Sequence, residues 1–261
     1  MPFYDKKSSI QYIGLLRREV RRFFKVPLQT IGTPIVSSLL YMLIFGVSLG
    51  NAIDLDSGLS YIAFLLPGLL TMSLIRNAFE NSSSSIIGSK YVNELQDLRM
   101  TPLSRHQIVL ALGTAALIRG SMVALLTLGV GLCFATFPIP HPLFFIAIIV
   151  LSGLTFGMLG LAIAMRSRSF EHISTINSFV LVPLTYLGGT FVPITKLHPF
   201  WKTISKWNPI FYIINSIRYA MVGIADASPY RALGIICIAL LLAYTFAIRA
   251  LRPGASYSRT L

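Results

Sequence analysis

Three ionisable side chains stand inside runs that are otherwise apolar: Arg76 and Glu80, four residues apart, and Arg119. A four-residue spacing puts Arg76 and Glu80 one helical turn apart on the same face, where opposite charges pair. Glu80 is the one carboxylate near either arginine, so the residues predict an Arg76–Glu80–Arg119 cluster that locks two helices together and transmits motion between them. The alternative is that the arginines extend to lipid headgroups. A proton relay would need several carboxylates or histidines along one path. His106, His141, His172 and His198 instead fall in loops or at the ends of apolar runs, and Asp54, Asp56 and Asp226 fall in loops. No Ser/His/Asp set, metal-ligand spacing or buried carboxylate pair is evident. Cys133 and Cys237 lie in apolar runs and read as packing residues rather than a disulfide or metal pair. No Gly-x-x-x-x-Gly-Lys-Ser/Thr loop is present to cradle nucleotide phosphates. The chain is therefore expected to be no enzyme and to bind no metal or cofactor of its own.

The elements that must hold those charges are set by composition. Of 261 residues, 54% are hydrophobic and 12% charged, against about 25% charged in soluble domains. A membrane-crossing helix needs about 20 mostly apolar residues. Six runs qualify, near 28–50, 61–79, 108–136, 143–165, 173–192 and 232–248, so the predicted fold class is an all-α polytopic membrane protein with six spans. Fifteen Lys and Arg fall in the segments on one side of these spans and five on the other, which predicts that both termini are cytoplasmic. The net charge of +13 is then a membrane-surface property, and no nucleic-acid partner is expected.

Residues 1–27 read as a basic amphipathic helix lying in the membrane interface. Ser8 and Gln11 fit a capping box. Ile13, Leu16, Val20, Phe23 and Phe24 fall on one face, with Arg18, Arg21, Arg22 and Lys25 opposite. Residues 28–252 form the membrane domain and 253–261 a cytoplasmic tail.

The stretch "LGGTFVPITKLHPFWKTISKWNP" (187–209) is too apolar for a solvated loop and too broken to span. Two short pieces, about 194–207 and 210–223, predict a re-entrant pair that dips into the outer leaflet and returns. Broken backbone at membrane depth is tolerated only against protein or a wet cavity, so the pair is expected to gate an outward-facing cavity. Gly188, Gly189, Pro193, Pro199 and Pro209 make the breaks, Trp201 and Trp207 suit the lipid–water boundary, and Arg218 belongs to the second piece. The alternative is an aromatic anchor with no part in transport.

Polar residues inside the runs sketch a path: Ser37 and Tyr41 on the first helix, Asn77 on the second, and Asn177, Thr185 and Tyr186 on the fifth. The expected lining is mildly polar and uncharged, suited to an amphipathic substrate. The alternative is helix–helix packing, which Ser and Thr commonly serve. The spacings Gly46-x-x-x-Gly50 and Gly153-x-x-x-Gly157 predict close packing, and Pro34, Pro67 and Pro183 predict kinks. Between the second and third spans, residues 90–100 read as a short helix stopped by Thr101-Pro102. Tyr91, Leu95 and Leu98 would share one face, with Glu94 and Asp97 elsewhere and Arg99 at the end. Taken alone, this is either a short helix docked on a partner through its apolar ridge, with flanking charges fixing its register, or a capped surface helix with no partner.

Three blocks carry a wider resemblance: "LLPGLLTMSLIRNAFENSSSSI", "NELQDLRMTPLSRHQ" and "VPLTYLGGTFVPITKLHPFWKTISKWNPIFYIINSIRYAMVGI". Together with the six runs, they resemble the ABC-2 type permeases, the membrane subunits of a class of ATP-binding-cassette exporters, and most of all the YadH-like bacterial inner-membrane permeases. The resemblance implies a homodimer in the bacterial inner membrane, in contact with lipid and partnered by a separate ATPase subunit that binds ATP and Mg. It also implies that 90–100 is a coupling helix seated in that ATPase, with Tyr91, Glu94, Leu95, Asp97, Leu98 and Arg99 as its contact residues. The cargo implied is an amphipathic or hydrophobic compound, with lipid-linked polysaccharide as the competing substrate. From a different class, an ion-coupled secondary carrier is the competing function.

Overall fold

The computed structural model describes residues 6–48 and 59–252, the side chains of residues 6–9 and 97–99 excepted. Among the described residues every regular element is helical. The axis of the fold is α3 (Tyr61–Tyr91), capped by the Ser60 hydroxyl, which accepts from the Ala63 amide at 3.3 Å. Its 31 residues make about 46 Å of helix, well beyond the roughly 30 Å of a hydrocarbon core. The expected span of 61–79 thus continues for three more turns. Those extra turns are held because Asn81, Ser82, Ser83 and Ser85 are buried, with the Ser82 hydroxyl donating to the Leu112 carbonyl at 3.3 Å.

Two long helices flank α3: α5 (Arg105–Leu132) and α6 (Pro142–Arg166). The α5 start carries a capping box in which Ser104 and Gln107 satisfy each other's backbone amides. Close approach is made possible by glycine. A methyl group on Gly160 of α6 would collide with the Phe79 carbonyl oxygen, and one on Gly157 would come 2.6 Å from the Ala116 methyl. Gly153 likewise meets Leu117, so the Gly153-x-x-x-Gly157 pair does face a neighbouring helix. Gly50 lies outside the described residues. Replacing Gly160 by Ala should cost about 1–3 kcal/mol of overpacking, read as a lowered midpoint in a detergent thermal melt.

The first span is a continuous helix, Leu28–Ser48, with π-wound turns at Leu28–Gly32 and Met42–Ser48 around α2 (Thr33–Tyr41). The first widened turn runs directly into Pro34. A proline ring collides with the carbonyl four residues back, and a wider turn relieves the clash. The same device recurs before Pro183. There α7 (Phe170–Ile176) passes through a π turn, Asn177–Leu181, into α8 (Val182–Leu187). Pro67 sits inside α3 without such a break.

Residues 170–187 occupy the place of the expected fifth span. They stop at Leu187 rather than at 192, because Gly188 ends the helix and Gly189 takes a left-handed φ of 85°. Among the described residues five helices are long and apolar enough to cross a membrane, with α11 (Pro229–Ala250) the last of them; 170–187 is not among the five. A 3-10 turn, Ile194–Lys196, follows, and then two short helices, α9 (Pro199–Trp207) and α10 (Pro209–Val222).

At the other end, α1 (Lys6–Phe24) is already helical at Lys6, so Ser8 lies within the helix and not just before it, which corrects the Ser8–Gln11 capping box. It turns Leu15, Glu19 and Phe23 inward and leaves Ile13 and Phe24 exposed. Glu19 is buried because Arg18 and Arg22 each pair with it at 3.2 Å. Arg22 continues onto α3, donating to the Asn81 carbonyl at 2.6 Å and to the Ser84 hydroxyl at 3.0 Å.

Candidate functional site

The predicted charge cluster forms in part. Arg76 Nε donates to Glu80 Oε1 at 2.8 Å, one turn apart on α3. The same carboxylate oxygen accepts from Asn177 Nδ2 at 2.8 Å. The polar tie therefore runs from α3 to the helix at 170–187, not to α5. Arg119, the expected third member, is 9% exposed and makes no ion pair or hydrogen bond to Glu80. Its Nε is buried without a partner.

Those charges share a cavity with half of the predicted path. A space of about 170 Å³ between α2, α3 and α5 is lined by Ser37, Tyr41, Asn77, Arg76, Glu80 and Arg119, among others. The expectation of an uncharged lining is corrected here: two arginines and a glutamate face the same space as the path residues. The charged and polar residues come together because α3 presents Asn77 and Glu80 beside Arg76, while α5 brings Arg119 in from the opposite side. One wall is fixed by hydroxyls, with Thr127 3.1 Å from both Ser38 and Ser73. This clasp between three helices was not singled out from the sequence, although Ser and Thr in apolar helices are its usual signal.

The remaining path residues do not line that space, although Asn177 reaches its edge through Glu80. Asn177 and Thr185 are buried, and Tyr186 is half-exposed. Tyr186 meets Phe191 edge-on at 5.2 Å, and Tyr41 and Phe45 meet the same ring at 5.9 and 5.0 Å. Tyr61 donates to the Phe191 carbonyl at 2.9 Å. An aromatic lid thus forms around Phe191, a residue the sequence reading passed over. Only the bend after Gly189 brings its ring back onto α2.

The predicted gate residues divide into struts and surface. Pro193 caps the 3-10 turn, and Pro199 and Pro209 open α9 and α10. Gly188 packs so closely on Ile214 that a methyl group would come within 2.9 Å. Arg218 is 2% exposed. It donates to the Gly189 carbonyl at 2.8 Å, pairs with Asp226 at 3.5 Å and lies 3.9 Å from the centre of the Phe64 ring. Trp201 and Trp207 are exposed on α9. α10 is the buried member of the pair, with Ile210, Ile213, Ile214 and Ile217 in the core.

The predicted coupling segment is also revised. A turn at Val92-Asn93, with Asn93 at φ 57°, separates Tyr91 at the end of α3 from α4 (Glu94–Met100). Tyr91 stacks on Phe170 at 5.4 Å and cannot share a helical face with Leu95. Leu95 is turned into the chain's own core, and Glu94 sits 3.9 Å from Arg18 of α1. The side chains of Asp97, Leu98 and Arg99 lie outside the described residues, as do Asp54, Asp56 and residues 253–261. Lys90, which the sequence reading counted only as a charge, donates to the carbonyls of Ala164, Met165 and Ser167 at 2.8 Å each. It ties the end of α3 to the C-terminus of α6, and nothing in the local sequence signals that. No group of three His, Cys, Asp or Glu could hold a metal ion among the described residues.

This arrangement combines packing, charge and a small polar space. Comparison with known proteins places it in a family. The ABC-2 type transporter family profile matches residues 10–222. The inner membrane transport permease YadH of Escherichia coli K12 is 35% identical over 227 residues, which is 87% of this chain and 89% of that protein. Nodulation protein J of Rhizobium leguminosarum bv. viciae is 23% identical over 249 residues, 94% of this chain and 95% of its own length.

Proposed function

Because this chain belongs to the ABC-2 type transporter family, we propose that it is the permease subunit of an ATP-driven exporter. It works as a homodimer in the bacterial inner membrane and moves an amphipathic compound out of the cytoplasm or the inner leaflet. Residues 170–187 complete six spans, both termini are cytoplasmic, α1 lies in the membrane interface, and α9 and α10 dip into the outer leaflet. ATP and Mg are held by a separate ATPase subunit, which family membership implies as a partner. That subunit docks at α4 and the adjoining basic face of α1, where Arg18 and Glu94 meet. A large share of the α2 and α11 surface is exposed and apolar, including Val36, Leu40, Leu241 and Leu242, as lipid or a second copy requires.

The observation that carries the reading is the polar cavity among apolar helices, bordered by the Arg76–Glu80–Asn177 tie. In a hydrocarbon surround, ionisable groups are costly and mark a substrate pathway or a moving joint. The tie joins the helix that leads to α4 with the helix that leads to α9, so a shift at the cytoplasmic end reaches the outer pair. Glu80→Gln keeps the Asn177 bond and removes the charge opposite Arg76. It should leave the permease folded and lower substrate-stimulated ATP hydrolysis by about tenfold, since breaking a partly buried charge pair costs about 1–3 kcal/mol. The test is ATP hydrolysis by the permease reconstituted with its ATPase subunit, with and without substrate. Hydrolysis indifferent to every amphiphile tried, or transport driven by an ion gradient with no ATPase present, would replace the exporter with a carrier.

A further inference from the structure

We infer that the cavity between α2, α3 and α5 is an anion subsite that takes the phosphate or carboxylate headgroup of an amphiphile, with Arg119 as its principal contact; this deepens the exporter reading and rests on it. Arg119 stands at the middle of the 28-residue α5, with about 20 Å of helix on either side at 1.5 Å per residue. That is too far for its side chain to reach water beyond the helix ends. It is 9% exposed, and its Nε has no partner. The charges acting on it are Glu80, which attracts it, and Arg22, which repels it. Glu80 is already committed to Arg76 and Asn177 through one oxygen. With two arginines and one glutamate, the cavity lining therefore carries a net positive charge that no other described lining residue offsets.

A buried cation without a counterion is costly, and removing it is often neutral or stabilising. Its presence at the wall of a cavity calls for a ligand that supplies the missing charge. Size narrows the ligand. About 170 Å³ falls short of the roughly 300–1,000 Å³ that encloses a whole small molecule, and admits a headgroup only. The tail must lie outside, and the helix Leu28–Ser48 provides its track: Val36, Leu40 and Leu43, within two turns of Ser37, are all exposed. A guanidinium presents paired N–H donors suited to carboxylate or phosphate oxygens. Ser37, Tyr41 and Asn77 add neutral polar groups for the remaining oxygens.

The experiment uses the full chain in nanodiscs of neutral lipid. Binding of radiolabelled dodecyl phosphate is measured and competed with inorganic phosphate and with dodecyltrimethylammonium. Dodecyl phosphate should bind saturably, and neither competitor should displace it at equal concentration. Arg119→Gln should weaken binding by tenfold or more, the order expected for losing a buried charge contact, while Arg119→Lys retains part of it. In the absence of ligand, Arg119→Gln should melt no lower than the parent, which a purely structural arginine would not allow. Should Arg119→Gln fold poorly, Ser37→Phe fills the cavity without altering charge and should also abolish binding. Undiminished binding in both variants, or equal binding of the cationic amphiphile, overturns the subsite. Displacement by inorganic phosphate at equal concentration overturns the headgroup assignment. None of these readouts involves an ATPase, so failed ATP-driven transport would sink the exporter reading and leave the subsite standing.

Discussion

Arg218→Met should lower the stability of the folded chain by about 3–5 kcal/mol, the usual cost of deleting one member of a buried, bonded charge pair. The side chain is 2% exposed and serves three elements at once. It satisfies the Gly189 carbonyl, balances Asp226 and covers the Phe64 ring. Methionine fills a similar volume but leaves that carbonyl without this donor and Asp226 without its cation. Asp226 is 25% exposed, so water recovers part of its solvation, and Asp226→Asn alone should cost much less, on the order of 1 kcal/mol. Arg218→Lys keeps the charge and loses the flat guanidinium over Phe64, so it should fall between the two. Fluorescence-detected size exclusion after heating would rank the three variants. Equal melting of Arg218→Met and the parent would show that the Gly189 turn holds itself.

Lys90→Met should cost about 2–4 kcal/mol and should act locally as well as globally. Its ammonium donates to three carbonyls at 2.8 Å at the end of α6, where carbonyls run short of backbone donors, although the Ser167 amide also reaches the Ala164 carbonyl at 3.2 Å. The positive charge also meets the negative end of the helix dipole. Charge-assisted bonds contribute about 1.5–3 kcal/mol each before water replaces them, and at this half-exposed position water replaces part of them. The expected signature is faster amide exchange at residues 164–168 together with a lowered melting midpoint. Because α3 ends at Tyr91 and turns directly into α4, the same variant should loosen α4, the proposed docking element. An Arg at this position restores charge but is expected to restore only part of the stability, since a planar fork does not reproduce three converging donors.

Much of the architecture could be read from the chain. Runs of apolar length locate the five long helices to within a few residues at most ends, and Pro199, Asn208 and Pro209 mark the short pair correctly. The end of α3 is the main boundary error, and its cause is physical. Asn81 and the serines after it look like a solvated exit, yet they are buried where α1, α5 and α6 converge, so the helix has no reason to stop. On α1, periodicity separates apolar from charged positions, and the Arg22 contacts with Asn81 and Ser84 add which side turns toward α3.

The sequence by itself determined the class: long uncharged helices with no catalytic set, basic segments alternating along the chain, and a broken aromatic stretch before the last helix. Each of these follows from local composition, because the cost of placing backbone and charge in hydrocarbon is incurred residue by residue. Tertiary structure alone decided which charges meet. Glu80 lies four residues from Arg76 in sequence, and that pair was legible. Its second partner, Asn177, is 97 residues away, Lys90 reaches carbonyls more than 70 residues on, and Arg119 is left facing a cavity rather than a carboxylate. Hydrogen bonds and close ion pairs form only at about 3–4 Å, so such partnerships depend on how helices cross, and helix crossing is set by small residues such as Gly157 and Gly160 whose neighbours the linear chain does not name.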